Sequence, residues 1–272
     1  MKYIVAVSGG VDSMVLLDMM MKVGEHELIV AHFDHGIRKN SHKDALLVAD
    51  AAKRYGLHFE TRREELGASA SEALARDRRY VFLRSVAQKH GGSIVTAHHL
   101  DDLVETVAIN ITRGTGWRGV AVLDSDIVRP LLDIDKATLV RYAKNNGIRW
   151  HEDETNGGDA YLRNRLRQKT HTLASDDKRQ LRALHAHQRA LKRTIEAEVV
   201  QLIGVGPGYS RYLLTHMSIP AALECLRVIT QAKLTRPQLA RMLNAIKVAK
   251  AGSTFEAGNG VCVHFTTRQF SL

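Results

Sequence analysis

The chain opens with residues 2–7, KYIVAV, followed at once by residues 8–13, SGGVDS. The first segment is apolar and rich in β-branched residues, which predicts a buried strand. Two glycines then predict a sharp turn, where backbone can approach a ligand without a Cβ atom in between. The apolar residues 14–20 predict a helix after the turn. Because free amides at a helix N-terminus attract anions, the unit predicts a phosphate site. A turn capped by its own side chains, without a ligand, is the alternative.

The glycine turn differs from two common nucleotide-binding motifs. No lysine follows the glycines, so residues 8–13 do not form the G-x-x-x-x-G-K-S/T loop, and they do not fit G-x-G-x-x-G. They resemble instead the PP-loop of the ATP pyrophosphatase family, whose members cut ATP between its α and β phosphates. The resemblance implies that the turn holds phosphates of ATP.

Segments typical of buried strands alternate with segments of helical periodicity over the first 150 residues. Strands are predicted at residues 2–7, 27–33, 58–61, 93–97 and 128–132, and helices at 14–20, 41–55, from 69, from 98 and at 135–146. Ser69 and Glu72 have the spacing of a capping box at the start of the third helix. The alternation predicts an α/β fold with a doubly wound parallel sheet, helices lying on both faces.

The pattern changes after this region, which predicts a second, mostly helical domain. We expect an ATP-binding catalytic domain at 1–150, a linker or lid loop at 151–174 and a helical domain at 175–272 that ends in a β-hairpin. In that domain a helix from 175 has an apolar stripe that includes Leu184 and Leu191, and a basic opposite side. A short extended segment at 209–214, helices at 219–230 and 237–250, and a hairpin of residues 253–256 with 261–265 follow.

Composition narrows the class of protein. The 272 residues are 44% hydrophobic and 25% charged, typical of a globular protein. No apolar segment reaches the roughly 18 residues of a membrane span, and the N-terminus has no pattern of a signal peptide. Cys225 and Cys262 form no C-x-x-C, which argues against a cysteine-held metal and fits the reducing cytoplasm. The net charge of +10 indicates a polyanionic partner such as nucleic acid; a generally basic surface is the alternative.

Polar residues follow two of the predicted strands. Asp34 follows the second strand, and residues 98–106, HHLDDLVET, follow the fourth. Ligands of open α/β sheets bind beyond the carboxyl ends of the strands, so both groups are candidates for a site. The two histidines and three acids could hold Mg²⁺, orient an amine or abstract a proton. Stabilisation of a helix N-terminus is the alternative.

Three basic segments are candidates for phosphate contacts. Arg76 and Arg79 share one face of a predicted helix. Residues 112–119, TRGTGWRG, combine two arginines with three glycines, which suits close approach to phosphate. Residues 163–167, RNRLR, follow a loop without apolar periodicity, which predicts a mobile lid or phosphate clamp. Solvated basic faces and a solvated linker are the alternatives.

Several blocks together closely resemble the tRNA(Ile)-lysidine synthetase family. They are SGGVDS (8–13), HFDHGIR (32–38), SEALARDRRY (71–80), AHHLDDLVET (97–106), TRGTGWRG (112–119), RPLL (129–132), WHEDETN (150–156) and YLRNRLR (161–167). The resemblance covers residues 1–170, and the helical remainder is similar to the family's smaller substrate-recognition domain. Many members continue into a further domain, so the chain resembles a short form. Leu103 departs from the family, which more often has a polar residue there.

The resemblance implies a two-step, cytoplasmic ligase reaction in tRNA processing. The C2 oxygen of the wobble cytidine in the CAU anticodon of tRNA(Ile) attacks the α-phosphate of ATP, and pyrophosphate leaves. The ε-amine of free lysine then attacks C2, AMP leaves, and lysidine results. The implied cofactors are ATP and Mg²⁺, and the implied partners are tRNA(Ile) and lysine. A membrane partner is not expected, and a homodimer stays open.

The resemblance also implies roles for individual residues. The implied ATP-binding residues are Ala6, Val7, Ser8, Gly9, Gly10, Val11, Asp12, Ser13, Asp34, Arg76 and Gly114. Lysine binding is implied for Asp101, Asp102 and Glu105, and catalysis for Asp12, Asp102, Glu105 and Arg113, with Asp12 also a Mg²⁺ ligand and His98 or His99 assisting. A lid over phosphate or tRNA is implied for Arg163, Asn164 and Arg167, and tRNA binding for Arg182, Arg189, Lys192 and Arg193.

Other functions of a PP-loop chain remain as alternatives. A tRNA-thiolating enzyme is the nearest, but it usually needs reactive cysteines or a cluster. Synthetases of NAD, GMP or asparagine share the loop but use ammonia, and the basic C-terminal region does not fit them. A tRNA-binding protein without catalysis is the alternative from another class, against which the intact loop and the acidic cluster argue.

Overall fold

The computed structural model describes residues 1–37, 41–67, 70–152, 166, 169–170, 172–204 and 206–272. Contacts within the chain divide it into two units, Met1–Arg189 and Ala190–Leu272. The division falls inside a helix that begins at Ser175. A division by contacts does not test which segments fold as domains, so the predicted boundaries stay predictions.

The first unit is built on a parallel sheet. Its strands are β1 (Lys2–Ala6), β2 (Glu27–Asp34), β3 (His58–Arg63) and β4 (Ser93–Val95), in the order β3-β2-β1-β4. The helices are α1 (Val11–Val23), α2 (Ser41–Arg54), α3 (Glu72–His90), α4 (Leu100–Thr112), α5 (Lys136–Asn145) and the first part of α6 (Ser175–Ile203). The pairing is in register, with Ile4 opposite Ile29 on one side and Ile94 on the other.

Helices cover both faces of this sheet. Successive residues of a strand point to opposite faces, so Ile4 and Val5 enter different cores. Val5 packs with residues of α1, α2 and α5, such as Leu16 and Ala51. Ile4 packs with Phe82 and the rest of the buried face of α3. The predicted doubly wound parallel sheet is therefore confirmed.

One local prediction in this unit is wrong. The expected strand at 128–132 is a single parallel bridge between Val95 and Val128, because Pro130 has no amide with which to continue the pairing.

The third helix begins at a serine cap. The Oγ atom of Ser71 accepts a hydrogen bond from the Leu74 amide at 3.2 Å. Ser69, which the predicted capping box pairs with Glu72, lies outside the described residues.

The second unit combines helices with an antiparallel sheet. After α6 come β5 (Tyr209–Ser210), α7 (Arg211–His216), α8 (Ile219–Ile229), α9 (Arg236–Val248), β6 (Thr254–Gly258), β7 (Val261–Phe265) and β8 (Gln269–Ser271). The helical region and the final hairpin, β6 with β7, are confirmed. The hairpin belongs to a four-stranded sheet of order β5-β8-β7-β6. The extended segment expected at 209–214 ends after two residues, because Ser210 caps α7.

The buried face of the first part of α6 differs from the predicted apolar stripe. Leu184 is exposed, whereas Lys178 and His185 are buried. The polar groups on this face have partners: His185 Nε2 lies 2.8 Å from the carbonyl oxygen of Val122. The stripe prediction is wrong here because polar groups with partners can replace apolar ones in a packed face.

Among the described residues, no helix has both the length and the apolar character that crossing a membrane requires.

Candidate active site

A cleft of about 740 Å³ opens at the carboxyl edge of the parallel sheet. The turn after β1, the ends of β2 and β4 and the first residues of α1 line it, as the position of ligands in open α/β sheets predicts. Eight of the eleven predicted ATP-binding residues line the cleft: Ala6, Val7, Ser8, Gly10, Val11, Asp12, Ser13 and Asp34.

The glycine turn presents backbone to the cleft. Gly9 has a φ of +94°, and a Cβ atom there would lie 3.2 Å from Cβ of Asp44, so a side chain would be strained and crowded. Ser13 Oγ accepts from the Ser8 amide at 3.1 Å and donates to the Gly10 carbonyl at 2.9 Å, which closes the turn. Gly10 caps α1 without a side-chain hydrogen bond. The first amides of α1 are therefore available to an anion.

Asp12 is paired with a lysine that the sequence did not single out. Lys136 Nζ lies 2.6 Å and 2.7 Å from the two carboxylate oxygens of Asp12, and His99 Nε2 lies 3.7 Å from one of them. Lys136 is the first residue of α5, and its amide donates to Asp101 at 2.8 Å. A single lysine at a helix start carries no sequence signal of this role.

Asp34 is a buried carboxylate at the end of β2. Burial acts to raise its pKa, but hydrogen bonds from the Gly36 amide at 3.0 Å and Arg63 at 2.6 Å outweigh it, so the pKa is lowered. Asp34 is therefore ionised at neutral pH. A carboxylate has about four acceptor positions, so it can accept a further hydrogen bond from a ligand in the cleft.

The acidic cluster at the start of α4 is divided by the fold. Asp102 lines the cleft, and its Oδ2 accepts from the His99 amide at 2.9 Å. Asp101 instead accepts from Lys178 Nζ at 2.6 Å and from the Lys136 amide. Burial acts to raise the pKa of Asp101, but these hydrogen bonds lower it. Neither Asp101 nor Glu105 lines the cleft, so Asp102 alone of the three predicted lysine-binding acids faces it.

His98 also lines the cleft, with Nδ1 2.8 Å from the Thr96 hydroxyl. Burial lowers the pKa of His98 to about 4. The negative charge of Asp102 opposes this shift, and the positive charge of Arg129 and other arginines adds to it. The imidazole is therefore neutral at neutral pH and presents one donor and one acceptor nitrogen.

Further residues that sequence reasoning did not single out meet behind the glycine turn. His151 donates its amide to the Gly9 carbonyl at 3.0 Å, and its Nδ1 lies 2.7 Å from Asp44 Oδ1. His32 Nδ1 lies 2.8 Å from the Val7 carbonyl, and burial lowers the pKa of His32. All three side chains line the cleft. His32 and His151 belong to the sequence blocks quoted above, and that was the sequence signal from which they could have been identified.

Several predicted residues do not line the cleft. Arg113 and Gly114 follow the C-terminal end of α4, whose 13 residues place them about 18 Å from its first turn. Arg76 is exposed over the Tyr80 ring, and Arg79, on the next turn, lines the cleft instead. Gly9 does not line the cleft either, and its carbonyl oxygen accepts the hydrogen bond from the His151 amide. Arg163, Asn164 and Arg167 lie outside the described residues.

The predicted tRNA-binding residues of α6 fall into both units. In the first unit, Arg182 forms an ion pair with Asp133 and Arg189 one with Asp124, both at 3.0 Å. In the second unit, Arg193 is exposed and Lys192 is half-buried. A role for any of the four in tRNA binding stays a prediction.

The parallel sheet, the amide-lined turn at its edge and the acidic side chains opposite define a nucleotide-binding α/β protein. The match of residues 1–173 to the PP-loop domain model is more specific, and the chain belongs to the PP-loop domain family.

Individual relatives and a solved structure agree with this family. The chain is 41% identical to the tRNA(Ile)-lysidine synthase of Exiguobacterium sibiricum over 181 residues, which are 64% of this chain and 43% of that protein. It is 39% identical to the tRNA(Ile)-lysidine synthase of Thermus thermophilus over 202 residues, 71% of this chain and 38% of that protein. The matched part is thus less than half the length of either relative. The fold is similar to that of the U34-tRNA thiolase NcsA from Methanococcus maripaludis, with a TM-score of 0.59, 16% identity and coverage of 70% of this chain and 72% of that one.

Proposed function

We propose that the chain ligates free lysine to C2 of the wobble cytidine of tRNA(Ile) with a CAU anticodon. The reaction uses ATP, passes through an adenylated cytidine and yields lysidine, AMP and pyrophosphate. One observation carries the proposal: the amide-lined turn and Asp102 line the same cleft. The same cleft would thus hold the phosphates of ATP at the turn and the ammonium group of lysine at Asp102. The names of the relatives support this choice among the reactions of PP-loop proteins.

The phosphates of ATP would bind at the first turn of α1. Gly10 leaves its amides uncapped, and the helix dipole favours negative charge there. Preorganised amides stabilise the charge that develops on the departing pyrophosphate without moving in the reaction. Ala6, Val7 and Asp34 would border the adenosine, where Asp34 accepts a hydrogen bond from an amine or hydroxyl.

Mg²⁺ fits the same part of the cleft. The ion prefers oxygen ligands and is usually held by one or two carboxylates together with phosphate. The Asp12 carboxylate meets that requirement beside the turn, although Lys136 Nζ also contacts both of its oxygens. When bound, Mg²⁺ would neutralise charge on the phosphates. Asp12 would hold the ion, and Lys136 would remain close enough to contact phosphate.

The lysine substrate would bind through its ammonium at Asp102. The ε-amine has a pKa of about 10.4 and must lose a proton before it attacks C2. The Asp102 carboxylate lines the cleft, so it would bind the ammonium and then accept the proton that the amine loses. The neutral His98 would hydrogen-bond to the amine or the base, because its low pKa makes it a weak proton acceptor. Asp101 and Glu105 do not line the cleft, so they would act indirectly. Asp101 would do so by holding the starts of α4 and α5 together.

The remaining roles complete the proposal. Arg76, Arg113 and Gly114 would contact the tRNA or the adenylate once tRNA is bound. Arg163, Asn164 and Arg167 would close over phosphate, and Arg182, Arg189, Lys192 and Arg193 would contact the tRNA backbone. We also propose a cytoplasmic location, and a homodimer stays open.

The cysteines disfavour the thiolating alternative. Cys225 is buried and Cys262 exposed in the second unit, and the sequence of the first unit, which contains the cleft, has no cysteine. A thiolase of this family would need a reactive cysteine or a cluster near the α-phosphate. A tRNA-binding protein without catalysis is the remaining alternative.

Incubation with transcribed tRNA(Ile), labelled lysine and ATP tests the proposal, with mass analysis of the digested nucleosides. Lysidine and an equal amount of pyrophosphate are expected, and a tRNA with uridine at the wobble position is the matched control. Binding of tRNA without release of pyrophosphate would support the non-catalytic alternative. Sulfur in the product would support the thiolase.

A further inference from the structure

A second group of titratable side chains lies at the opposite edge of the sheet. His58 and Glu60 are at the start of β3, and His90 is the last residue of α3. His58 and Glu60 are two residues apart in a strand, so they project from the same face. The candidate active site lies beyond the other end of the strands, and the eight residues of β2 correspond to roughly 25 Å between the two sites.

The three side chains converge on one point. Nε2 of His58 lies 3.0 Å from Oε1 of Glu60, and Nε2 of His90 lies 2.8 Å from the same oxygen. One ligand atom from each residue can be chosen so that all three lie within 4.8 Å of one another. The two imidazole rings are 5.1 Å apart and tilted by 55°, so neither blocks the other.

We propose that His58, Glu60 and His90 bind a divalent transition-metal ion of the zinc type. Two imidazole nitrogens and one carboxylate oxygen, with water in the fourth position, are a ligand set that Zn²⁺ accepts. Bonds of about 2.0–2.2 Å in a tetrahedron separate neighbouring ligands by about 3.3 Å. The observed separations of 2.8 Å and 3.0 Å therefore need to open by only a few tenths of an ångström.

Lys89 also contacts the Glu60 carboxylate. Its Nζ lies 2.7 Å from the same Glu60 oxygen, and its side chain is 62% exposed. A metal ion bound at that oxygen would repel the ammonium. Lys89 can turn into solvent at little cost, since exposed ion pairs contribute little stability. Lys89 is therefore at most a weak competitor of the ion.

A third histidine faces the same region. His26, His58 and His90 line one cavity of about 510 Å³. The cavity lies beside the cluster and has room for the water that would complete the coordination of an ion.

The ion would join the edge strand β3 to the end of α3. These elements are held together at this point by hydrogen bonds to a single carboxylate oxygen, and metal bonds are stronger and more directional. The inference does not depend on the proposed function, because the site is separate from the cleft.

The test uses the full chain without a histidine tag, stripped of metal by a chelator that is then removed. Titration with ZnCl₂ in a calorimeter should show one ion per chain, and Co²⁺ should give the absorption of a tetrahedral complex. His58→Ala and His90→Ala should each weaken Zn²⁺ binding by at least about tenfold. His187→Ala, which removes an exposed histidine outside the cluster, should leave it unchanged.

Glu60→Gln distinguishes the proposed site from a pair of surface histidines. Loss of the carboxylate ligand should weaken Zn²⁺ binding by at least about tenfold, whereas binding by His58 and His90 alone would be unchanged. Thermal melts of the same variants, with and without ZnCl₂, should show stabilisation in the parent and not in His90→Ala. No binding to the parent, or binding unchanged in both histidine variants or in Glu60→Gln, would overturn the proposal.

Discussion

Lys136 Nζ lies within 2.7 Å of both carboxylate oxygens of Asp12, although the two residues are 124 positions apart. The contact joins the first residue of α5 to the first turn of α1, next to the glycine turn. It brings a positive charge to the position where a phosphate group would bind. It also compensates the negative charge of Asp12 in the cleft.

Replacement of Lys136 by alanine should impair the first half-reaction. Without the ammonium, one positively charged contact to the phosphates of ATP is lost. We expect the kcat/KM for ATP-dependent pyrophosphate release to fall by about 100-fold, or about 2.7 kcal/mol. Lys53→Ala removes an exposed lysine of α2 and should have no effect. Equal activity of the two variants would show that Lys136 has only a structural role.

Replacement of Asp102 by asparagine should separate the two half-reactions. The amide keeps the size of the side chain but lacks the charge that binds an ammonium. Adenylation of tRNA, followed by pyrophosphate release, should change little, while transfer of lysine should fall by about 100-fold or more. A matched Asp77→Asn variant, in the exposed part of α3, controls for loss of negative charge. Equal loss in both half-reactions would contradict the amine-binding role.

Replacement of Asp101 by asparagine should destabilise the first unit. Lys178 is largely buried, and Asp101 is its partner at 2.6 Å. Removal of one partner from a buried ion pair leaves an uncompensated charge and costs about 3 kcal/mol. Urea unfolding at neutral pH measures the loss.

The double variant Asp101→Asn with Lys178→Met supplies the control for this ion pair. It removes the charge as well as its partner, so it should recover part of the lost stability. If the double variant is less stable than Asp101→Asn alone, the destabilisation has another origin.

His98 should titrate far below an ordinary histidine. Burial lowers its pKa to about 4, and Arg129 is one of the cations that add to the effect. NMR titration of the ring nitrogens should give a pKa of about 4 in the parent and a higher value in Arg129→Gln. Arg241→Gln, an exposed change in the second unit, should not move it. A parent pKa near 6.5 would remove the basis for a neutral His98 at all working pH values.

A double variant of Lys192 and Arg193 tests tRNA binding by the part of α6 that belongs to the second unit. The double variant Lys192→Gln with Arg193→Gln should weaken tRNA binding and reduce its salt dependence, because fewer counterions are released. Arg236→Gln with Arg241→Gln carries the same change of charge on α9. If only this control lowers the salt slope, the tRNA contacts lie on α9.

The final hairpin shows how far local pattern reaches. It turns at Asn259 and Gly260, both with positive φ, between the two segments predicted as its strands. The hairpin depends on neighbouring residues and was predicted. The face that α6 buries was not, because it depends on which partners the rest of the unit offers to Lys178 and His185.

The sequence by itself determined the alternation of strands and helices, the glycine turn after β1 and the position of the cleft at the carboxyl edge. Strand periodicity, the conformational freedom of glycine and the chirality of parallel connections are local or general properties, so they can be read without coordinates. Only the tertiary structure decided that Lys136 pairs with Asp12 and that Asp101 pairs with Lys178 outside the lining of the cleft. It also decided that His58 and His90 both contact Glu60. The contacts of Glu60 with His90, of Asp101 with Lys178 and of Asp12 with Lys136 join residues from 30 to 124 positions apart, and packing of whole elements sets their side-chain distances.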